Sequence, residues 1–531
     1  MKREYFLQQI TGKRDSWDIA VIGGGATGVG IAVDAASRGF NVVLLEQSDF
    51  GKGTSSRSTK LVHGGVRYLR QGNLSLVRKS LYERGLLLQN APHLCRALEF
   101  IIPCYRWWER WFYGLGLKLY DLLAGRRSLG PSRILSRKET LNRTFTLKRE
   151  GLKGGVSYFD AQFDDARLLI NLVQTAAERG ACLLNYARVT SFLKDQAGRI
   201  TGLAFCDVET GAHHSLNARC VINATGAFCD ELRRTDEPAA TPMIAPSQGV
   251  HIVLPLSFLF PNDAAIMVPR TSDGRVLFAI PWNKRVVAGT TDTPISNLSL
   301  EPRPLAGEVD FILETLGRYL ANPPTRNDIL SVFTGIRPLV KSGSASRTAS
   351  LSRDHTIVIS PSGLLTITGG KWTTYRKMAG DAVDHAIVLA GLPKRPCVTE
   401  ALPIHGSIGS KPRVELHSCV ADYGSDAAGL YELMRAEPEL ASQLAPLIPI
   451  TGAHIVWAVR HEMARTLDDI LARRTRILFL DAKGALRIAP AAVRILAREL
   501  GRDEAWEQAQ IAAFTGIAEH FKSDGTGVQP G

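Results

Sequence analysis

The sequence predicts an α/β protein: a parallel βαβ base interwoven with an antiparallel-sheet cap, followed by an all-helical C-terminal domain. Three observations carry this. Residues 18–47, "DIAVIGGGATGVGIAVDAASRGFNVVLLEQ", read as strand, glycine turn, small-residue helix and second strand. Short β-rich runs then alternate with helix-patterned stretches to about residue 390, without a long Pro/Ser linker. After a proline- and glycine-rich stretch at 392–412, the remaining chain is patterned almost entirely as helix, as in "GAHIVWAVRHEMARTLDDILARR" at 452–474. The division is therefore an N-terminal extension over 1–17, an interleaved base and cap over 18–395, and a helical domain over 396–531.

The first unit carries G-x-G-x-x-G at Gly23, Gly25 and Gly28. Gly23 permits the tight turn, Gly25 lets backbone approach a pyrophosphate, and Gly28 lets helix and strand pack closely. The helix N-terminus then aims its unpaired N–H groups at the anion. Glu46, eighteen residues after Gly28, stands where an acid accepts hydrogen bonds from ribose hydroxyls. A glycine turn also serves plain strand-to-helix packing, but here strand, helix and acid are all in order. NAD and FAD both satisfy this unit.

Helices are expected over 74–90, 164–180, 305–321 and 374–392, each with apolar residues at helical spacing. "GVSYF" at 155 reads as a strand, and "VLFAIPW" at 276 and "RVVAGTTD" at 285 read as a meander beside the "SDGR" turn at 272, which suits an antiparallel cap. The tail "KSDGTGVQPG" is expected to fray.

Composition narrows the setting. The chain has 531 residues, 45% apolar, enough for several domains with substantial cores. Its eight cysteines, Cys95, Cys104, Cys182, Cys206, Cys220, Cys229, Cys397 and Cys419, form no C-x-x-C pair or zinc-like spacing, and the N-terminus lacks an apolar signal core. A cytoplasmic protein with reduced thiols and no metal site is the expectation. The formal charge of +13 favours an acidic partner: nucleic acid, anionic lipid or a phosphorylated substrate. No uncharged apolar run is long enough to span a bilayer. The nearest, residues 101–127, is interrupted by Arg106, Glu109, Arg110 and Lys118 and crowded with Trp107, Trp108, Trp111, Phe112 and Tyr113. It suits either a segment lying among lipid headgroups or a core helix burying its aromatics.

A second small-residue signal, "ARCVINATGAFCDEL" at 218–232, runs an apolar strand into Ala224, Thr225 and Gly226. An "ATG" at a later strand end of the same sheet is a habit of FAD-binding Rossmann-like proteins, which tilts the cofactor toward FAD. Together with "GGGATGVGIAVDAASRG", the segments "GTSSRSTKLVHGGVRYL" at 53, "FDDARL" at 163, "SQGVHIV" at 247, "GTTDT" at 289, "TGIRPL" at 334, "SRDH" at 352 and "GGKWTTYRKMA" at 369 closely resemble, in order, the FAD-dependent glycerol-3-phosphate dehydrogenases. The resemblance runs from about residue 17 to the end, the helical C-terminal region included. It is loose over 105–155.

The resemblance implies an FAD-binding Rossmann-like domain interwoven with a substrate cap. It implies hydride transfer from C2 of sn-glycerol 3-phosphate to the flavin, yielding dihydroxyacetone phosphate, with electrons passed to membrane quinone. It casts Arg67, Tyr68, Arg337, Arg353 and Lys371 as the substrate pocket, with Arg337 and Lys371 also catalytic. Arginine forks suit a phosphate because they stay charged and donate bidentately. Thr54, Ser55 and Lys60 are expected at the cofactor, although hydroxyls there also cap helices. Gly370 stands ahead of a helix that starts near Thr373 or Thr374, all three expected at the cofactor, and the helix N-terminus would favour negative charge on the flavin. The C2 hydroxyl proton needs a base, for which His251 is the first candidate and His63 the second.

These expectations place the protein on the cytoplasmic side, attached peripherally to the inner face of the cytoplasmic membrane through an anionic lipid surface, with a homodimer open. Rival readings are an oxidase that passes electrons to oxygen, another FAD-dependent amine or hydroxy-acid oxidoreductase, and, from another class, a basic nucleic-acid-binding protein, for which no motif speaks.

Overall fold

The computed structural model describes residues 1–13, 15–70, 72–259, 264–341, 355–409, 420–446 and 448–523, without the side chains of Arg67 and Arg70. The base is a sheet in the order His355–Ile359, Leu365–Gly369, His213–Asn223, Trp17–Ile22, Val42–Leu45, Cys182–Leu184, parallel except for its first pair. Such a central parallel sheet must be covered on both faces. The strand Trp17–Ile22 is accordingly almost wholly buried. The helix Ala26–Ser37 can lie deep because its side chains are small. A Cβ on Gly30 would come within 2.9 Å of the Tyr375 ring, so this glycine sets how closely the helices Ala26–Ser37 and Tyr375–Leu389 approach.

The cap is a ten-stranded sheet around Ile244–Pro255, Ser331–Val340, Cys95–Cys104 and Gly154–Phe163. The expected meander is present: Leu277–Trp282 pairs antiparallel with Arg285–Gly289. One junction departs from the antiparallel expectation, because Ala265–Val268 runs parallel to Cys95–Cys104. Those two segments are far apart in sequence, so no local turn dictates their sense. The helices expected over 74–90, 164–180, 305–321 and 374–392 form as Leu74–Asn90, Asp165–Glu178, Ala306–Tyr319 and Tyr375–Leu389.

The C-terminal region is mainly helical, with a small hairpin of Gln443–Ala445 and Ile448–Thr451. The helix-patterned stretch 452–474 is broken: Gly452–Glu462 ends at left-handed Met463, and Asp469–Arg474 winds as a π-helix. This region shares one apolar core with the cap, in which Phe333 packs on Phe479 and Phe479 on Phe521.

The aromatic segment 101–127 splits. Residues 101–104 belong to the buried strand Cys95–Cys104, and Glu109–Ala124 is a surface helix. Trp107 is 73% exposed, Trp111 63%, Phe112 53%, Leu115 77% and Leu122 76%. The core-helix alternative is thereby overturned, since the buried side of this helix is Gly114, Leu117 and Tyr120. No helix among the described residues is long and apolar enough to cross a membrane.

Candidate functional site

Two clefts adjoin, the first at the C-terminal ends of the parallel strands, where open α/β sheets hold their ligands, and the second against the cap sheet. The first, of about 370 Å³, is lined by Gly23, Gly25, Glu46, Thr54, Ser55, Ala224, Thr225, Gly226 and Gly370, with Lys371 and Trp372. Its floor is backbone. Gly23, at φ +110°, passes so close to Ala224 that a Cβ would sit 2.7 Å from that carbonyl oxygen. Gly28 does not line the cleft; its Cβ would fall 1.9 Å from the Gly23 carbonyl oxygen, so it is the helix–strand contact that needs glycine.

Gly25 caps the helix Ala26–Ser37 without a side chain. Ser55 Oγ instead accepts from Ala26 N at 2.9 Å, and Thr54 Oγ1 donates to the Ile336 carbonyl at 2.6 Å. Ser55 thus does both things the sequence allowed: it caps a helix and faces the cleft. Glu46 accepts from Gly24 N at 2.6 Å and Ser48 N at 2.9 Å. Burial pushes its carboxyl above the ordinary range against those two amides. The donor set, glycine backbone at a helix N-terminus and a carboxylate at the second strand end, fits the pyrophosphate and ribose of a dinucleotide such as FAD.

The second cleft, of about 190 Å³, is lined by side chains: Thr59, His63, Tyr68, Tyr158, Asp160, Arg275, Thr290, Asp292 and Arg337 among them. Arg337 lies across the neighbouring strand over Gly249, where a Cβ would meet the guanidinium at 2.4 Å. It donates to Thr290 Oγ1 at 2.9 Å and to the Gln248 carbonyl at 3.3 Å. Asp292 stands between two guanidiniums, 3.4 Å from Arg337 and 3.5 Å from Arg275, and Ser247 donates to it. Asp273 grips Arg275 from its other side. Asp292 aligns the two guanidiniums, whose planar forks suit a phosphate. Asp160 is already held by Arg84 at 2.9 Å and Tyr120 at 2.7 Å. The clefts adjoin at Lys371, which lines the first and places its Nζ 5.0 Å from the ring of Tyr68, which lines the second.

Several expected residues lie elsewhere. Lys60 is fully buried, donating to Asp165 at 2.7 Å and the Ser56 carbonyl at 2.8 Å, with burial pulling its ammonium down to about 7. It is part of the support behind the site and does not reach the cofactor cleft. Thr373 is buried against the backbone of His63, and Thr374 donates to the Lys371 carbonyl; the helix itself starts at Tyr375. Those two hydroxyls hold the turn that carries Lys371.

His251 is 2% exposed, stacks on Phe333 and pairs through Nε2 with Thr59 Oγ1 at 2.9 Å. Burial, then Arg337 and Lys60, hold it well below its ordinary value of 6.5. It is a neutral ring behind Thr59, whereas His63 lines the cleft. Arg353 and the side chain of Arg67 lie outside the described residues. Arg275, Asp292, Thr290 and Trp372 were not singled out from sequence. Arg275 sat in a stretch read only as a turn, and Thr290 and Asp292 in "GTTDT", which carried the family resemblance without a role for either residue. Trp372, whose Nε1 donates to the Ser55 carbonyl at 2.8 Å, pins the cofactor loop to the Lys371 turn.

A family model described as FAD dependent oxidoreductase matches residues 18–376, and one described as the C-terminal domain of alpha-glycerophosphate oxidase matches 397–507. A mitochondrial glycerol-3-phosphate dehydrogenase of Arabidopsis thaliana is 42% identical over 96% of this chain and 87% of its own length. That of Homo sapiens is 40% identical over 93% of this chain and 72% of its own. The solved glycerol-3-phosphate dehydrogenase of Bacillus halodurans, complexed with FAD, superposes with a TM-score of 0.81 at 30% identity over 99% of both chains. An L-alpha-glycerophosphate oxidase of Mycoplasma pneumoniae shares the fold, with a TM-score of 0.56 at 15% identity over 73% of this chain and 98% of its own.

Proposed function

Since the chain belongs to the family of FAD-dependent glycerol-3-phosphate dehydrogenases, we propose that it oxidises sn-glycerol 3-phosphate to dihydroxyacetone phosphate. The observation that carries this reading is the meeting of a backbone-lined dinucleotide cleft with an arginine-lined one across Lys371 and Tyr68. FAD, when bound, supplies the acceptor for the hydride leaving C2.

The protein's residues do the rest. The Gly23–Gly25 turn and the N-terminus of Ala26–Ser37 hold the pyrophosphate, and Glu46 takes ribose hydroxyls. Arg337 and Arg275 bind the substrate phosphate as a pair held by Asp292, with Arg67 and Arg353 assigned to the same pocket by family resemblance. Lys371 and Tyr68 orient the glycerol portion between the clefts. The C2 hydroxyl proton passes to His63, which lines the cleft. The test is an anaerobic absorbance spectrum of the purified yellow protein. Bleaching by sn-glycerol 3-phosphate and not by glycerol supports the reading; equal bleaching by both, or by neither, contradicts it.

The electrons go next to membrane quinone, and the protein works bound to an anionic membrane surface. The support is the helix Glu109–Ala124, with Trp108, Trp111, Phe112, Leu115, Leu119 and Leu122 exposed along one face and Arg106 and Arg126 beside it. A helix of this kind lies in the headgroup boundary, with aromatic insertion adding to electrostatic attraction. Flotation with anionic liposomes should be reduced but not abolished at high salt, and weakened further when Trp107, Trp108 and Trp111 become alanine. A wild-type chain that stays wholly in the soluble fraction at low salt contradicts this placement, and stoichiometric peroxide in air contradicts the quinone acceptor.

A further inference from the structure

We infer that the C-terminal domain is part of the cofactor site: residues 468–476 clamp the loop that lines the FAD cleft, and Arg474 is a positioning residue acting through Asp49. The inference rests on assigning the first cleft to FAD.

The loop after the strand Val42–Leu45 supplies Gln47, Gly51, Lys52, Gly53, Thr54 and Ser55 to that cleft. It also shapes the dinucleotide turn, since Gly51 N donates to the Gly24 carbonyl at 3.0 Å and Ser55 caps Ala26. Phe50 anchors this loop in the apolar core of the base, while its charged groups are met from the far end of the sequence. Arg474 grips Asp49 with both Nη atoms, at 2.7 and 2.9 Å, and Arg473 meets the same carboxylate through Nε. Asp468 takes Lys52 at 2.6 Å, and Arg476 reaches the Ser56 carbonyl at 2.9 Å and Asp165 at 2.9 Å.

Asp49, Arg473, Arg474 and Arg476 are all buried. Buried charged groups that are fully paired contribute little net stability beside apolar residues of the same volume, but they fix geometry, because any displacement leaves a charge uncompensated. The segment bearing Arg473 and Arg474, Asp469–Arg474, is wound as a π-helix, a form found frequently at functional sites. That winding puts Asp468, Arg473 and Arg474 on one side of the loop at once. The chain of contacts runs from Arg474 to Asp49, to Gly51, to Gly24, and so to the cofactor turn.

The test uses holoenzyme diluted to release FAD, followed by free-flavin fluorescence, with thermal unfolding and hydrogen exchange measured in parallel. Arg474→Lys keeps the charge but loses the two-pronged grip, and Asp468→Asn removes the C-terminal partner of Lys52, which keeps its ion pair with Glu301. Leu496→Ala, in the apolar core of the C-terminal domain, lowers stability away from the loop. Gly28→Ala drives a Cβ into the Gly23 carbonyl oxygen and so displaces the cofactor turn directly. The expected result is FAD release at least tenfold faster in Arg474→Lys and severalfold faster in Asp468→Asn. Exchange should rise at amides 49–56 and not in the strand Trp17–Ile22, with KM for sn-glycerol 3-phosphate unchanged at saturating FAD. Leu496→Ala should unfold earlier yet release FAD at the wild-type rate.

Wild-type release from both clamp variants, with Gly28→Ala fast, overturns the clamp. Wild-type release from Gly28→Ala as well overturns the cleft assignment and the clamp with it. Equal acceleration in Leu496→Ala reduces the effect to general destabilisation and also overturns it. If Arg474→Lys does not fold, Asp468→Asn decides by the same criteria.

Discussion

The two clefts are built by opposite means. The cofactor cleft rests on backbone: glycines at strand ends and a helix N-terminus, with the acid Glu46 at the second strand end, joined by segments near 187, 224–235 and 367–378. The substrate cleft is made of side chains that converge from segments hundreds of residues apart, with Arg275, Asp292 and Arg337 set by sheet register and by each other. A backbone site follows from local chain geometry and tolerates side-chain change nearby. A side-chain site depends on each charge being aimed, so single substitutions should remove function while leaving the fold and the flavin in place.

The largest effect along that line is expected at Arg275. Removing one guanidinium of a pair around Asp292 costs about 2–5 kcal/mol of charged contact. Arg275→Ala should lower kcat/KM by roughly thirtyfold or more, with FAD retained. Steady-state kinetics beside flavin content checks this, and loss of flavin would erase the contrast between the clefts.

A smaller effect, on the other cleft, is expected at Glu46. Glu46→Ala removes a charge-assisted hydrogen bond worth about 1.5–3 kcal/mol and the acceptor for Gly24 and Ser48. FAD affinity should fall by roughly tenfold to a hundredfold while KM for substrate at saturating FAD stays near wild type. An unchanged FAD dissociation constant contradicts the ribose role.

How much of this was legible follows the same contrast. Gly23, Gly25, Gly28 and Glu46 could be read because their meaning lies within thirty residues, where turn, helix and strand lengths set distances. Arg275 and Asp292 could not, because nothing local distinguishes an arginine after an "SDG" turn from a solvated one. His251 misled for the reverse reason. A histidine in an apolar strand is visible in sequence, but that it stacks on Phe333 behind Thr59 depends on the pairing of Ile244–Pro255 with Ser331–Val340. Lys60 looked like a phosphate ligand in a hydroxyl-rich loop. Its partner Asp165 and the C-terminal Arg476 turn it inward. The boundaries of the four helices expected over 74–90, 164–180, 305–321 and 374–392, by contrast, were close, since apolar periodicity is itself a local signal.

The smallest effect concerns the seam between the base and the C-terminal region, where His405 bridges Glu178 and Asp426. Burial lowers its pKa, but the two carboxylates outweigh that and raise it above its ordinary value of 6.5. A histidine with a raised folded pKa stabilises fully below its unfolded value, and that contribution is lost as pH rises through the folded one. With solvent screening the contribution is under about 1 kcal/mol. The Tm difference between pH 6 and pH 8.5 should therefore narrow slightly in His405→Asn, and the catalytic rates of both forms should stay alike. An unchanged Tm difference contradicts the charged bridge.

The central claim is that substrate is held by side chains and cofactor by backbone, and Arg337→Ala tests it most directly. Anaerobic stopped-flow reduction of the bound flavin by increasing sn-glycerol 3-phosphate reads both clefts in one trace. The account predicts a yellow protein with wild-type FAD content whose half-saturating substrate concentration for reduction rises by about a hundredfold, consistent with a loss near 3 kcal/mol. A colourless Arg337→Ala protein, or one reduced at wild-type substrate concentrations, would contradict it.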